Sequence, residues 1–286
     1  MVRNIPRRQF LVGALASGLA PGTGFASAGL AEPDTLRAMA NRAGLFWGAA
    51  VQSTQVRPEA EFAALVAREC SVVVPEWEMK WTAIERERGQ PKYGHADAIV
   101  KFAEQHGLKI RGHALVWHRA MPQWAREAIK QTSDWSLLAA FITTTLERYS
   151  SPNFVHWDVV NEVIEPRDGR ADGLRSSPYL NAFGPEYIRR ALDLAHAHAP
   201  NVRLYVNEYG LDYDGKVERD RRVALLRLVE NLKKSGTPVH GVGIQGHLYG
   251  RGKSAFSQEA LRRFLADLAV LGVNITITEL DVPEGD

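Results

Sequence analysis

Two stretches of the sequence each end a run of β-branched and aromatic residues with a glutamate. The first, His156–Glu162, ends in Glu162, and the second, Ile275–Asp281, contains Glu279. Burial of a carboxylate among apolar residues destabilises a fold unless the carboxylate is paired, so an unpaired one indicates a functional role. Two carboxylates in one site suit glycoside hydrolysis, because one can protonate the leaving oxygen while the other attacks the anomeric carbon or activates water. The pattern therefore indicates a glycosidase, provided that the fold brings both side chains together.

The elements that must position them alternate along the chain. Short apolar runs predict seven strands, at Leu45–Val51, Ser71–Glu76, Leu108–Trp117, Phe154–Glu162, Val202–Tyr209, Val239–His247 and Val273–Val282. Helical patterns lie between them, at Pro58–Glu69, Ala96–His106, Asp134–Tyr149, Pro185–Ala199, Val217–Lys234 and Ser257–Leu271. Nearly continuous apolar strands separated by helices predict a parallel sheet that is buried on both faces.

Such a pattern fits either an open doubly wound sheet or a barrel. The open sheet would need a glycine-rich turn after the first strand, and Gly48-Ala49-Ala50-Val51-Gln52 is not one. Polar residues instead gather at the carboxyl ends of the strands, which meet at one face of a TIM barrel. The fold class is therefore expected to be α/β, a (β/α)8 TIM barrel. Since only seven strands are found and the last ends four residues before the terminus, we expect the barrel to be C-terminally incomplete in this chain.

The first 28 residues have the pattern of an export signal. Three arginines precede an apolar run of 11 residues, Phe10–Ala20, and Ala26-Ser27-Ala28 has the form of a cleavage site. The pair Arg7-Arg8 indicates a twin-arginine signal, which predicts a periplasmic or extracellular protein with a catalytic domain at residues 29–286. The alternative is an amphipathic anchor that stays attached.

Composition excludes several classes of protein. The chain has 286 residues, of which 45% are hydrophobic and 24% charged, and a single cysteine, so it is not a collagen, a coiled coil or a disulfide scaffold. The formal net charge of +2 becomes −1 once the three arginines of the leader are removed, so a nucleic-acid partner is not indicated. We expect no membrane partner after leader removal, and a monomer.

The histidines do not indicate a metal site. His113 and His118 lie five residues apart and would face opposite sides of a continuous strand, and no HxH or HExxH pattern ends a strand. We therefore expect neither a metal nor a cofactor.

Six segments together carry a family resemblance. They are, in chain order, Glu76–Trp81, Arg111–His118, Trp157–Glu162, Leu204–Tyr209, Gly243–Leu248 and Ile277–Val282. In this order and spacing they resemble glycoside hydrolase family 10, the endo-1,4-β-xylanases, from about Leu45 to the end of the chain.

The resemblance implies a retaining enzyme that cleaves internal β-1,4-xylosidic bonds of xylan and xylo-oligosaccharides. It makes Glu162 the general acid/base and Glu279 the nucleophile. Asn161 would bind the sugar 2-hydroxyl, and His247, with Asp281 behind it, would orient Glu279. The other residues that it implies in the site are Glu76, Lys80, His113 and Trp117 on the glycone side, Gln245 near the reacting ring, and Asn207 and Tyr209 on the leaving-group side.

Two positions depart from the family pattern. Trp77 stands where asparagine is usual, and Ala120 where glutamine is usual, so two amides that would bind the glycone are missing. We hypothesise that the site binds the usual backbone less tightly than the family pattern would. Because an eighth strand is not found, a non-catalytic or weakly active glycan-binding barrel fragment is the alternative function.

Overall fold

Parallel strands form a single sheet in the computed structural model, which describes residues 35–57, 59–249 and 256–282. The leader predicted at residues 1–28 lies outside the described residues. The strands are β1 Gly48–Val51, β2 Val72–Pro75, β3 Lys109–Gly112, β4 Val116–Trp117, β5 Phe154–Asn161, β6 Arg203–Glu208, β7 Gly241–Ile244 and β8 Asn274–Ile277.

The strand order follows the chain: β1, β2, β3, β5, β6, β7, β8, with β4 also paired to β5. Strands β3 and β4 occupy the same position in the sheet, because both pair with β5, one along its first half and the other along its second. The predicted third strand is therefore interrupted at residues 113–115. The described strands fill seven positions of a barrel, with β1 and β8 at the two edges, as predicted for an incomplete TIM barrel.

Helices connect successive strands, and each of the six predicted helices is found within three residues of its predicted bounds. The helices are α1 Leu36–Arg42, α2 Glu61–Glu69, α3 Trp81–Ile84, α4 Gly94–Gln105, α5 Gln123–Thr132, α6 Trp135–Arg148, α7 Pro178–Phe183, α8 Tyr187–His198, α9 Lys216–Lys234 and α10 Gln258–Val270. Several begin at side-chain caps, as α7 does where Ser177 accepts from the Leu180 N–H. No helix among the described residues is both long and apolar enough to cross a membrane.

The core lies between the strands and these helices. Val73, Ile110, Trp157 and Leu204, from four different strands, are all 0% exposed. The indole of Trp157 requires glycine on the neighbouring strand, since a Cβ built at Gly112 would lie 2.2 Å from a ring carbon. Close packing on both faces leaves the carboxyl ends of the strands as the place where polar side chains gather.

Candidate active site

Glu162 follows the last residue of β5 and turns out of the strand with a left-handed backbone, at φ +57°. Its N–H donates to the Asn207 carbonyl of β6 at 2.9 Å, so strand pairing continues while the side chain leaves the sheet. A left-handed backbone costs a residue with a Cβ about 1–2 kcal/mol. The residue is 8% exposed, so this strand end holds a carboxyl group largely out of water.

Glu279 lies two residues beyond β8, where its N–H donates to the Gln245 carbonyl at 2.9 Å. Its Oε1 accepts from Asn207 Nδ2 at 2.7 Å, and its Oε2 lies 3.3 Å from His247 Nε2. Burial raises the pKa of this carboxyl, but the hydrogen bonds from His247 and Asn207 are among the interactions that bring the pKa below its usual value. Glu279 is therefore ionised at neutral pH, the state in which a carboxyl group can act as a nucleophile.

Three amide side chains join the two carboxyl groups. Asn207 Nδ2, which donates to Glu279, also donates to Asn161 Oδ1 at 2.9 Å. Gln245 Nε2 donates to the same Asn161 oxygen at 3.3 Å and lies 3.5 Å from Glu162 Oε1. The two glutamates that the sequence singles out thus belong to one hydrogen-bonded cluster at the carboxyl ends of β5, β6, β7 and β8.

Thr278 fixes which way the central amide points. Its hydroxyl donates to Asn207 Oδ1 at 2.8 Å, which directs the Asn207 nitrogen toward Glu279. Asn207 is 0% exposed, so it supports Glu279 and has no surface for a sugar on the leaving-group side, where the sequence analysis placed it. Thr278 was missed, although it directly precedes the glutamate.

His247 lies between two carboxylates. Its Nε2 faces Glu279, and its Nδ1 lies 3.0 Å from Asp281 Oδ1. The hydrogen bond with Glu279 is the main reason that the pKa of His247 is raised to about 9, with Asp281 acting in the same direction against burial. The ring is an imidazolium at neutral pH, so it donates from both nitrogens and holds Glu279 in place.

A buried ion cluster lies behind the site at β3 and β5. Arg111 Nε donates to Asp158 Oδ2 at 3.0 Å and its Nη2 donates to Oδ1, while His113 Nδ1 lies 3.0 Å from Oδ2. Burial raises the pKa of Asp158, but Arg111 and His113 bring it below its usual value. We assign the proton to His113 Nδ1, since an ionised carboxylate can only accept, and this fixes the orientation of the predicted site residue.

Lys80 and two tryptophans form one wall of the site. The Lys80 Nζ lies 4.5 Å from the ring centroid of Trp117 and 5.1 Å from that of Trp77. Burial lowers the pKa of Lys80, although Glu279 and Glu76 oppose this effect. Trp77 is 45% exposed, so one of the two rings that cover the ammonium also faces solvent.

Tyr209 forms part of the opposite wall. Its hydroxyl donates to Glu165 Oε2 at 2.9 Å and accepts from Arg175 Nη2 at 2.9 Å. The guanidinium of Arg221 lies 4.2 Å from the ring centroid, which leaves at most the other ring face for a ligand. The hydroxyl of Tyr209 thus makes its hydrogen bonds with neighbouring side chains.

The cluster holds two carboxyl groups, the residue type that glycoside hydrolysis uses, and comparison with known proteins gives the family. The model of glycosyl hydrolase family 10 matches residues 35–286. The chain belongs to glycosyl hydrolase family 10. The resemblance stated from the six sequence segments is thereby confirmed.

Relatives in family 10 are similar in both sequence and structure. The chain is 34% identical over 247 residues to endo-1,4-beta-xylanase 2 of Claviceps purpurea, covering 85% of this chain and 71% of that protein. It is 35% identical over 240 residues to endo-1,4-beta-xylanase 3 of Hypocrea jecorina, covering 83% and 65%. The structure of native xylanase 10B from Thermotoga maritima superposes with a TM-score of 0.75 at 30% identity, covering 87% of this chain and 74% of that one. The chain thus spans about two thirds of the length of the second relative.

The two positions that depart from the family 10 pattern, Trp77 and Ala120, lie in different surroundings. Trp77 is exposed over Lys80, whereas Ala120 is 2% exposed, with its N–H donating to the Trp117 carbonyl.

Charged residues that the sequence did not predict for the site lie beside the predicted ones, namely Arg111, Asp158, Glu165, Arg175 and Arg221. No group of three or more histidine, cysteine, aspartate or glutamate side chains in the described part of the chain could hold a metal ion.

Proposed function

We propose that this chain hydrolyses internal β-1,4-xylosidic bonds of xylan with retention of configuration. One observation carries the proposal: Glu162 and Glu279 belong to the same amide cluster at the mouth, and Glu279 is held ionised. Relatives that are named endo-1,4-beta-xylanases support xylan as the substrate class. The xylanase 10B of Thermotoga petrophila, whose structure contains xylobiose, superposes at a TM-score of 0.76 and 28% identity.

The first chemical step breaks the glycosidic bond. An oxygen of Glu279 forms a bond to the anomeric carbon, and the bonding electron pair leaves with the glycosidic oxygen, which takes the proton of Glu162. Positive charge develops on the sugar ring. Because Asn161 Oδ1 already accepts from Asn207 and Gln245, it is Asn161 Nδ2 that donates to the oxygen of the sugar 2-hydroxyl. The leaving chain departs with a new hydroxyl group, and the other sugar remains attached to Glu279 as an ester.

The second step releases that sugar. Glu162, now a carboxylate, takes a proton from water as the water oxygen attacks the anomeric carbon, and Glu279 leaves as the carboxylate. His247 remains hydrogen-bonded to Glu279 in both steps, so it stabilises the negative charge that returns to this residue. Two inversions at the same carbon give a product of the original configuration.

The test is the release of reducing ends from xylan by the 286-residue chain. We expect activity that Glu279→Ala abolishes, while Glu61→Ala, an exposed glutamate at the start of α2, leaves it unchanged. Proton NMR of the first products should detect the β-anomer before mutarotation. Xylan binding without hydrolysis by the unaltered chain would contradict the proposal and favour a glycan-binding barrel.

We also propose that residues 1–28 direct export and are removed in the process, and that the catalytic domain, residues 29–286, acts as a monomer in the periplasm or outside the cell. The twin arginines, the short apolar run and the small residues before position 29 support export. Fractionation of expressing cells, with Arg7→Lys and Arg8→Lys together as the variant, tests this: the altered chain should remain in the cytoplasm. Sedimentation of the exported form tests its oligomeric state.

A further inference from the structure

The segment that follows Glu162 returns to it within thirteen residues. Ile164 and Leu174 form an antiparallel bridge, and the Glu165 N–H donates to the Gly173 carbonyl at 3.0 Å. The Arg175 N–H donates to the Val163 carbonyl at 2.7 Å, so Arg175 lies beside the strand end that carries Glu162. The segment thus forms a narrow hairpin that closes on the strand end.

The side chain of Arg175 is hydrogen-bonded to the main chain of Glu162. Its Nε donates to the Glu162 carbonyl at 2.7 Å, and its Nη2 donates to the Tyr209 hydroxyl at 2.9 Å and lies 3.4 Å from the Ile164 carbonyl. The side chain is 15% exposed. Because the guanidinium is planar, the two donors cannot move independently, and the Tyr209 contact fixes the direction from which Nε approaches Glu162.

A buried carboxylate holds this arrangement from behind. Glu165 Oε2 accepts from Tyr209 at 2.9 Å, and lies 3.5 Å from Arg175 Nη2 and 3.2 Å from Arg221 Nη2. The two guanidiniums thus share one carboxylate, and neither lacks a counter-charge. Removal of Glu165 would leave the half-buried guanidinium of Arg175 without this counter-charge, so the carboxylate fixes the position of Arg175.

We propose that Arg175 is a positioning residue that keeps the Glu162 carboxyl group aimed at the glycosidic oxygen. Glu162 has a left-handed backbone, and its peptide groups are held on both sides, the N–H by the Asn207 carbonyl and the C=O by Arg175. Without the Arg175 side chain the Glu162 carbonyl loses this donor, so the peptide after Glu162 can shift and move the carboxyl group with it. The inference rests on the proposed function, because it assigns Arg175 a role through the acid/base of that reaction.

Leaving-group chemistry separates this role from a general structural one. A xylan chain leaves as a poor leaving group and needs a proton from Glu162, whereas dinitrophenolate leaves unaided. The kcat/KM of dinitrophenyl xylobioside therefore reports the first step without acid catalysis. Its kcat includes the second step, in which Glu162 is the base, and azide replaces water there without needing a base.

For Arg175→Ala we expect kcat/KM on xylan to fall roughly 10- to 100-fold, part of the 10²–10⁴ that a general acid contributes. On dinitrophenyl xylobioside we expect kcat/KM to change by less than about threefold, kcat and KM to fall together, and azide to restore kcat. Arg175→Lys keeps the charge but loses the planar pair of donors that fixes the approach to Glu162, so it should show a smaller loss of the same kind. Arg170→Ala, in the same segment but ion-paired with Asp172 at the surface, is the matched control and should behave like the unaltered chain.

Equal losses of kcat/KM on both substrates would overturn the inference, as would no loss on either. So would absence of cooperative thermal unfolding in both Arg175 variants, because Arg175 would then be needed for folding itself. The unaltered chain is measured first on both substrates. Its inactivity would overturn the proposed function together with this inference, whereas an active chain with unselective losses would overturn the inference alone.

Discussion

Replacing Asn207 with alanine removes one hydrogen bond that Glu279 accepts and leaves the contact with His247 in place. The lost bond is the 2.7 Å contact from Asn207 Nδ2, a nitrogen on a side chain that is 0% exposed. The two neighbours that Asn207 also bonds, the Asn161 oxygen and the Thr278 hydroxyl, lose a partner at the same time. The change therefore affects both the charge of Glu279 and the stability of the fold.

The magnitude follows from the kind of bond. A buried hydrogen bond to an ionised group contributes about 1.5–3 kcal/mol. Since one pKa unit corresponds to about 1.4 kcal/mol, Asn207→Ala should raise the pKa of Glu279 by about 1–2 units. The unpaired neighbours should lower the free energy of unfolding by about 1–3 kcal/mol.

The assay is the pH dependence of kcat/KM on a soluble xylo-oligosaccharide, measured below the melting temperature of the variant. The acid limb reports the ionisation of the nucleophile in the free enzyme, so it should move to higher pH by about 1–2 units. Thr278→Val keeps the amide but frees its orientation, and should give a smaller shift in the same direction. Asn231→Ala, an exposed asparagine on α9, is the matched control and should leave the profile unchanged.

Two results would contradict the expected stabilisation of Glu279 by Asn207. If Asn207→Ala lowers kcat/KM by the same factor at every pH, the amide does not stabilise the charge of Glu279 and acts only on geometry. An acid limb that moves to lower pH would contradict the assignment of Nδ2 as the donor.

Three other expectations concern different parts of the molecule. The pKa of His247 rises from 6.5 to about 9 on folding, so its charge stabilises the fold fully below about pH 6.5 and this effect is lost as the pH rises through about 9. The Tm difference between the unaltered chain and His247→Gln should therefore be largest near pH 6 and vanish near pH 10; a constant difference would contradict it. Trp77→Asn with Ala120→Gln should raise kcat/KM on short xylo-oligosaccharides about fivefold or more, since each restored amide bond contributes about 0.5–1.5 kcal/mol, and an unchanged value would reject the hypothesis. Gly112→Ala places a Cβ 2.2 Å from a Trp157 ring carbon, so the free energy of unfolding measured in urea should fall by about 1–3 kcal/mol or more.

The barrel and its two glutamates could be predicted because their signals are local. Each strand is a short apolar run, and a polar residue directly after such a run must lie at the carboxyl edge of a parallel sheet. The break between β3 and β4 was not predicted, since apolar residues lie on both sides of it, Leu108 and Ile110 before and Leu115 to Trp117 after, and indicate one run. In the structure both parts pair with β5, and the register already shifts between Ile110 and Arg111.

The supporting charges were missed for a different reason. Asp158 and Arg111 lie within apolar runs, and a charged residue in such a run indicates a buried ion pair. Which two residues form the pair depends on the register of two strands. Arg175 and Glu165 lie in a polar connecting segment, where charged residues are usually solvated. The helix α7 had a usable signal, since Ser177 and Pro178 are a cap and a first-turn proline.

The left-handed backbone of Glu162 lowers the stability of the fold at a position that the proposed activity requires. Glycine adopts that backbone without strain and buries no carboxyl group, so Glu162→Gly should unfold at a higher temperature than the unaltered chain. A library of variants selected only for heat resistance would therefore enrich an inactive barrel. Engineering of this chain for heat resistance would need an activity screen in every round, because one gain in thermal stability lies at the residue proposed to donate the proton.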